Sequence, residues 1–128
     1  MILIDACGLI ALQCAPERFS EAARQRLEAP GSKVFVSAIT AFEIGQKHAT
    51  GKLILPLPPH EWFISCLRHH HLEELPISST IALAATALPP IHRDPFDRIL
   101  IATALVGNLT ILTSDRIIPT YPSIQTLW

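Results

Sequence analysis

Short apolar runs alternate with helical segments along this chain, and this alternation is the feature that most constrains its fold. The runs "MILID", "KVFVS", "LEELPIS", "LTILTSD" and "SIQTLW" are typical of strands, and the first resembles a strand buried on both faces of a sheet. Strands separated by helices need crossover connections, which make neighbouring strands parallel. We therefore predict an α/β fold with three α/β/α layers and a mainly parallel central sheet.

Six helices are predicted between these strands, and residues that favour helix ends mark several of their boundaries. The first helix is expected after Gly8, and Gly51 closes the helix that follows the second strand. Pro95 opens the longest apolar helix, which ends at Gly107 and Asn108. The predicted helical segments are "GLIALQC", "SEAARQRLEAPG", "AITAFEIGQKHATGK", "EWFISCLRHH", "STIALAATALPP" and "PFDRILIATALVGN".

Length and composition limit the number of domains and the kinds of partner that we expect for this chain. Its 128 residues predict one domain, spanning 1–128. Because 49% of the residues are hydrophobic and only 16% are charged, we expect an apolar patch that a partner covers, and a homodimer is one such partner. The net charge of -1 excludes a global basic field for nucleic-acid binding, so a polyanionic substrate would need a local basic rim.

The cysteines and the hydropathy of the chain indicate the cellular compartment in which we expect the protein. The three cysteines form no CxxC pair, and an odd number argues against a complete disulfide framework. We therefore expect a reducing cytoplasm, with Cys7 and Cys14 as small buried side chains. No stretch of about 18 uncharged apolar residues is present, so we predict no membrane span.

Four acidic residues occupy positions where chemistry is expected in an α/β fold. Asp5 ends the first strand and Asp115 follows the strand "LTILT", and ligands of open α/β sheets bind outside the carboxyl ends of strands. Asp97 shares a helical face with apolar residues, so its carboxylate points inward and needs a partner. Glu43 lies in the helix after the second strand.

Ordinary structural roles compete with this interpretation for each acid taken alone. Asp94 and Asp97 sit at the N-cap and N3 positions of the helix opened by Pro95, where carboxylates complement the helix dipole. Glu43 is placed to pair with Lys47 one turn later. Asp115 fits a turn or cap in "TSDR".

The four acids together favour a metal site. Carboxylates that converge on one end of a sheet repel one another and raise their pKa values unless a cation holds them together. An oxygen-only cluster selects a hard ion, Mg²⁺ or Mn²⁺. Such ions bind phosphates and activate water, so phosphodiester hydrolysis is the predicted reaction class.

The segments "LIDACGLIAL", "VSAITAFEIGQKHATGKL", "LPPIHRDPFDRILIATAL" and "LTILTSD" occur in an order and spacing that strongly resemble PIN-domain ribonucleases, specifically VapC-type toxins of toxin-antitoxin pairs. The resemblance implies a PIN-like α/β/α fold, Mg²⁺- or Mn²⁺-dependent endonucleolytic cleavage of RNA, and inhibition by a cognate antitoxin. It assigns the metal-binding and catalytic positions to Asp5, Glu43, Asp97 and Asp115. Asp94 and Ser114 are expected to support these ligands by hydrogen bonding. Many relatives form homodimers.

Departures from the family pattern leave alternatives open. Relatives usually carry a small hydroxyl residue and then a polar one after the first aspartate, whereas Ala6 and Cys7 follow Asp5 here. A catalytically weakened module that binds an antitoxin or dimerises is therefore the main alternative. A phosphoacceptor or phosphatase with Asp5 as nucleophile is disfavoured, because "DAC" lacks the second aspartate of the DxD pattern.

Basic residues near the acids in sequence are candidates for the RNA-binding rim. Ordinary surface charge explains each of them equally well. They are Lys47, Lys52, Arg93, Arg98 and Arg116.

Overall fold

Five parallel strands form one central sheet in the computed structural model, which describes all 128 residues. The strand order is β3-β2-β1-β4-β5, so β1 lies in the middle, and every paired strand is parallel to its neighbour. The predicted parallel α/β sheet is thereby confirmed. The strands are β1 (Ile2–Ile4), β2 (Val34–Ser37), β3 (Glu73–Leu75), β4 (Thr110–Leu112) and β5 (Gln125–Leu127).

Six α-helices connect and flank these strands, as the sequence predicts. They are α1 (Ala6–Cys14), α2 (Glu21–Glu28), α3 (Ala38–Ala49), α4 (Pro59–His69), α5 (Ser79–Ala87) and α6 (Pro95–Gly107). Two short 3₁₀ turns, Pro16–Arg18 and Ile118–Thr120, were not predicted.

The start of α1 differs from the prediction, which placed it after Gly8. The helix begins at Ala6, because the carboxylate of Asp5 caps it by accepting a hydrogen bond from the backbone N–H of Gly8. The end of α6 agrees with the prediction, since Asn108 adopts the left-handed conformation with φ 51°. Gly51 has φ 74° and closes the turn after α3, again as predicted.

Alternate side chains of the central strands point to opposite faces and build two cores. Ile2, Ile4 and Leu112 pack with α1 to α4, whereas Leu3 and Ile111 pack with α6. Helix α5 packs on the outside of α6. The helices therefore cover both faces of the sheet, which confirms the three-layer α/β/α architecture.

Gly8 allows the start of α1 to lie directly on the ends of the central strands. A Cβ atom at this position would lie 2.8 Å from the Cγ1 atom of Ile4 and 2.9 Å from the carbonyl oxygen of Leu112. No side chain fits at those distances. This close approach holds the Asp5 carboxylate beside the carboxyl ends of β1 and β4.

Two predictions from composition have different outcomes. No helix in the chain combines the length and apolar character needed to cross a bilayer, as expected. The prediction that Cys7 and Cys14 are buried is wrong, because both are exposed and only Cys66 is buried. Cys7 follows the cap of α1, so its side chain lies at the surface where the helix begins.

Candidate active site

The site lies at the carboxyl ends of β1 and β4, where the strand order reverses direction. The chain passes from β1 through α1 and α2 to β2, which pairs with one side of β1, while β4 pairs with the other side of β1. Asp5 follows β1 directly, and its backbone N–H donates to the carbonyl oxygen of Leu112 at 3.2 Å. Thr113 and Asp115 follow β4. Reversals of this kind are where open α/β sheets bind ligands.

The carboxylate of Asp5 is held on both oxygens. Its Oδ1 atom accepts a 2.6 Å hydrogen bond from the Gly8 N–H, and its Oδ2 atom accepts a 2.5 Å hydrogen bond from the Thr113 hydroxyl. Asp5 is only 7% exposed. This burial raises the pKa of Asp5 to about 6, with the charges of Glu43 and Asp115 acting in the same direction and the two hydrogen bonds opposing them.

Asp97 enters the site from the first turn of α6. Asp94, three residues earlier, is the N-cap of that helix as the sequence predicts, and its Oδ1 atom accepts a 2.9 Å hydrogen bond from the Phe96 N–H. Burial raises the pKa of Asp97, and the negative charge of Asp94 raises it further. The side chain of His92 partly opposes this rise.

His92 is a site residue that the sequence analysis missed. It is 8% exposed, and its Nε2 atom lies 2.9 Å from the Asp97 Oδ2 atom and 3.4 Å from the Asp115 Oδ2 atom. Its Nδ1 atom accepts a hydrogen bond from the Asp94 N–H at 3.2 Å. Because Nδ1 accepts, this network assigns the imidazole proton to Nε2, which donates to the carboxylates.

Asp115 is held by the turn that follows β4. Its Oδ1 atom accepts hydrogen bonds from the backbone N–H groups of Ile117 and Ile118 at 2.7 and 2.9 Å. Partial burial raises the pKa of Asp115, but these amides and His92 outweigh it, so the pKa lies below its ordinary value. The turn role considered for this residue is therefore real and coexists with its place in the site.

Glu43 projects from α3 and pairs with Lys47 one turn later, at 3.3 Å. The pairing expected from sequence is thus present. Desolvation lowers the pKa of Lys47, but the Glu43 carboxylate outweighs this effect and raises it. The same acid also faces the other carboxylates, because one cavity of about 210 Å³ is lined by Asp5, Ala6, Cys7, Glu43, Lys47, Asp97, Ser114 and Asp115.

The oxygen-rich lining of this cavity fits a hard divalent cation. The four predicted acids all line it, and Lys47 is the one cationic side chain among the lining residues. Negative charge there exceeds positive charge, and this repulsion adds to the larger effect of burial in raising the pKa values of Asp5 and Asp97. One nitrogen and two carboxylate oxygens, from His92, Asp97 and Asp115, also lie within 4.8 Å of one another.

The basic residues predicted to form an RNA-binding rim lie in different surroundings. Lys47 lines the acid cavity, Lys52 lines an adjoining one, and Arg93 and Arg116 are exposed. Arg98 has different contacts, which remove it from the group of free basic residues. Its guanidinium donates hydrogen bonds of 2.9 to 3.3 Å to the Tyr121 hydroxyl and to the carbonyl oxygens of Ala85, Leu88, Pro89 and His92.

Two polar residues that hold the acids were absent from the prediction, and each had a weak sequence signal. His92 lies two residues before Asp94, the N-cap of α6, so its side chain can contact the first turn of that helix. Thr113 follows β4 at the level of Asp5, since Ile4 is paired with Leu112. Ser114, which was predicted to support the ligands, lines the acid cavity.

Comparison with known proteins identifies the family. The PIN domain model matches residues 2–123, so this chain belongs to the PIN domain family. A similar protein, named Ribonuclease VapC22, from Mycobacterium tuberculosis, is 28% identical over 130 residues, covering 99% of this chain and 98% of that protein.

Solved structures share the same fold. A chain in a toxin-antitoxin complex from Klebsiella pneumoniae has a TM-score of 0.68 at 23% identity, covering 100% of this chain and 98% of that chain. A chain in FitAcB from Neisseria gonorrhoeae has a TM-score of 0.68 at 21% identity, with coverages of 100% and 97%. A chain in DNA-bound VapBC2 from Rickettsia felis has a TM-score of 0.69 at 16% identity, with coverages of 98% and 97%.

Proposed function

We propose that this protein is a divalent-metal-dependent endoribonuclease that acts as the toxin of a toxin-antitoxin pair. The observation that carries the proposal is the convergence of Asp5, Glu43, Asp97 and Asp115 on one cavity at the carboxyl edge of the sheet of a PIN domain. The name of the relative, Ribonuclease VapC22, supports RNA as the substrate. Toxin-antitoxin complexes among the similar structures support an antitoxin as the partner.

Asp5, Asp97 and Asp115 would hold Mg²⁺ or Mn²⁺, with Glu43 as a further ligand or as the acceptor of a proton from water. The cation supplies charge neutralisation and a Lewis acid for an RNA phosphate. The chain's own contribution is orientation. Gly8 and Thr113 hold the Asp5 carboxylate, while the amides after β4 hold Asp115.

The departure after Asp5 does not remove the hydroxyl that supports this acid. Ala6 and Cys7 cannot supply the usual hydrogen bond, but the Thr113 hydroxyl donates to the Asp5 Oδ2 atom from the neighbouring strand. This contact favours an active enzyme over the weakened module that binds an antitoxin or dimerises. Metal binding without RNA cleavage would instead favour that module.

Partners are proposed on the same basis. Several large apolar side chains are exposed, including Phe42, Ile54, Leu83 and Val106, and they are candidates for the apolar patch expected from the composition. A homodimer would cover part of this surface, and an amphipathic antitoxin segment would cover more. Sedimentation of the protein alone and with the product of an adjacent gene checks both partners. A monomer that ignores every neighbouring product contradicts them.

RNA cleavage by the purified protein tests the proposed activity. We expect single-stranded RNA to be cut with Mg²⁺ or Mn²⁺ and to remain intact with EDTA. Asp97→Asn should abolish cleavage, whereas Glu61→Gln, which changes an exposed acid on α4, should leave it unchanged. Undiminished cleavage by the Asp97 variant would overturn the assignment of the site.

A further inference from the structure

A second cavity adjoins the acid cavity and is not explained by metal binding. It has a volume of about 280 Å³ and lies between the end of α3 and the start of α6. Glu43 and Lys47 line both cavities, so their ion pair forms the boundary between the two. The lining residues are Glu43, Gln46, Lys47, Thr50, Lys52, Asp94 and Phe96.

This lining combines the chemical groups that bind a nucleotide. Lys47 and Lys52 supply ammonium groups for phosphate, and Lys52 forms no ion pair within the chain. Asp94 uses its Oδ1 atom to cap α6, while its Oδ2 atom has no hydrogen-bond partner in the protein. Phe96 supplies an aromatic ring, the group on which bases of single-stranded nucleic acids stack.

Phe96 is held in place by a second aromatic residue. The ring of Phe42 lies 5.5 Å from the ring of Phe96, centre to centre, with the two planes inclined by 51°. Phe42 itself is 59% exposed, although exposed aromatic side chains are costly in water. Phe96 and Glu43 line the same cavity, so this aromatic pair adjoins the acid cluster.

The size of the cavity suits one nucleotide. Its volume of about 280 Å³ lies just below the roughly 300 to 1,000 Å³ of sites that enclose a drug-sized ligand, so it has room for one unit of a longer strand and not for several. The acids that would hold the cation lie beside this cavity, so the phosphate next to a nucleotide held here would lie at the acid cavity. Both cavities then accommodate one continuous strand.

We propose that the cavity between α3 and α6 is a nucleotide subsite, in which one base of single-stranded RNA contacts Phe96 and a flanking phosphate contacts Lys52. The inference rests on the proposed ribonuclease function and names the part of the substrate that this surface selects. Because stacking is insensitive to base identity, the subsite favours unpaired RNA over a duplex rather than one sequence.

Binding of short RNA measures the contact of the base with Phe96 separately from the contact of the phosphate with Lys52. The affinity of a fluorescein-labelled single-stranded ribooligonucleotide is compared with that of an abasic ribose-phosphate oligomer of the same length, with Ca²⁺ in place of Mg²⁺ to limit turnover. The wild-type protein should prefer the oligomer with bases by about 5- to 100-fold, the range expected for one stacked base. Phe96→Leu should lose most of this preference, and Phe96→Tyr should keep it.

Lys52→Ala should weaken both oligomers equally and reduce the salt dependence of binding, because it removes a phosphate contact. Lys33→Ala is the matched control. This exposed lysine lies at the amino end of β2, whereas the site lies at the carboxyl ends of the strands, so the substitution should change neither affinity. Thermal denaturation of Phe96→Leu verifies that the variant is folded. If Phe96→Leu is not folded, the subsite is judged from the oligomer preference of Phe96→Tyr and from the affinities of Lys52→Ala.

Cleavage of the same RNA with Mg²⁺ distinguishes this inference from the proposed function. A protein that cuts RNA but binds both oligomers equally overturns the subsite and leaves the nuclease intact. A protein that shows the Phe96-dependent preference without cutting RNA overturns the nuclease and leaves the subsite intact. If Phe96→Leu affects only self-association or antitoxin binding, the cavity belongs to a protein contact and the subsite is rejected.

Discussion

The Nε2 atom of His92 lies 2.9 Å from the Asp97 Oδ2 atom, so an imidazole joins the loop before α6 to a carboxylate of the acid cluster. The same nitrogen lies 3.4 Å from Asp115. His92 is itself held by Asp94, whose N–H donates to Nδ1, and by the Tyr121 hydroxyl, which accepts from the His92 backbone N–H at 2.7 Å. We assign His92 the role of a positioning residue for two carboxylates.

The contact between His92 and the two carboxylates predicts that different substitutions of His92 weaken Mg²⁺ binding and cleavage to different degrees. His92→Ala should lower Mg²⁺ affinity and cleavage by about 10- to 100-fold, the usual effect of removing a group that orients metal ligands. His92→Gln should recover much of this loss, because a terminal amide N–H can donate where Nε2 does. His48→Ala, on the exposed side of α3, is the control. Equal losses of Mg²⁺ affinity and cleavage in the Ala and Gln variants would show that His92 only packs against its neighbours and does not orient the carboxylates.

Asp5→Asn should stabilise the metal-free protein while it removes activity. Because the pKa of Asp5 is raised to about 6, its ionised form destabilises the folded state. The folded protein therefore loses stability as pH rises through about 6. At about 1.4 kcal/mol per unit of pKa, the variant gains up to about 3 kcal/mol at pH 7.

Urea denaturation at several pH values measures this gain in the free energy of unfolding. The difference between wild type and Asp5→Asn should vanish below about pH 4, where the Asp5 carboxyl is neutral in the unfolded chain as well as in the folded protein. Added Mg²⁺ should stabilise only the wild type at pH 7. A variant that is less stable than the wild type at neutral pH would contradict the destabilising effect of the buried Asp5 charge.

Thr113→Val should weaken the site without unfolding it. The substitution keeps the shape but removes the hydroxyl that donates to Asp5 and accepts from the Asp115 N–H at 3.0 Å. We expect a loss in Mg²⁺ affinity of about 10- to 100-fold, measured by calorimetric titration. Thr113→Ser retains the hydroxyl and should bind Mg²⁺ nearly as the wild type does. Similar affinities for the Val and Ser variants would contradict the supporting role.

Arg98 is expected to contribute to stability rather than to RNA binding. Its guanidinium satisfies carbonyl oxygens at the end of α5 and in the loop that follows, including those of Leu88 and His92. Arg98→Ala should lower the free energy of unfolding by about 2 to 4 kcal/mol, and Arg98→Lys should not restore it, because a lysine lacks the planar fork of donors. Arg93→Ala, at an exposed position, should change stability little. A stable Arg98→Ala variant would refute this role.

Elements and acids were predictable because their signals are local. The apolar runs mark the strands, and Pro95 and Asn108 mark the ends of α6. Asp5 directly follows β1, and Asp115 lies three residues after the end of β4. The position of an acid at a strand end is enough to place it at the carboxyl edge of a parallel sheet. The resemblance to the PIN family then supplied Glu43, whose local sequence explains it equally well as a partner of Lys47.

The supporting roles of His92 and Thr113 had only weak sequence signals, because they depend on contacts between residues that are separated in the sequence. Thr113 reaches Asp5 only through the pairing of β1 with β4. Arg98 looks like surface charge until α5 places its last carbonyl oxygens against it. Cys7, predicted to be buried, is exposed because α1 begins two residues earlier than its glycine suggests.

Mn²⁺ binding followed by electron paramagnetic resonance tests the central claim most directly, because it reports on the acid cluster without RNA or an antitoxin. The wild-type protein should bind Mn²⁺, and Asp5→Asn and Asp97→Asn should each lower the affinity by more than about tenfold, since even groups that only contact metal ligands have effects of about that size. Glu61→Gln should bind as the wild type does. Equal Mn²⁺ binding by all four proteins would contradict the assignment of these carboxylates to a metal site.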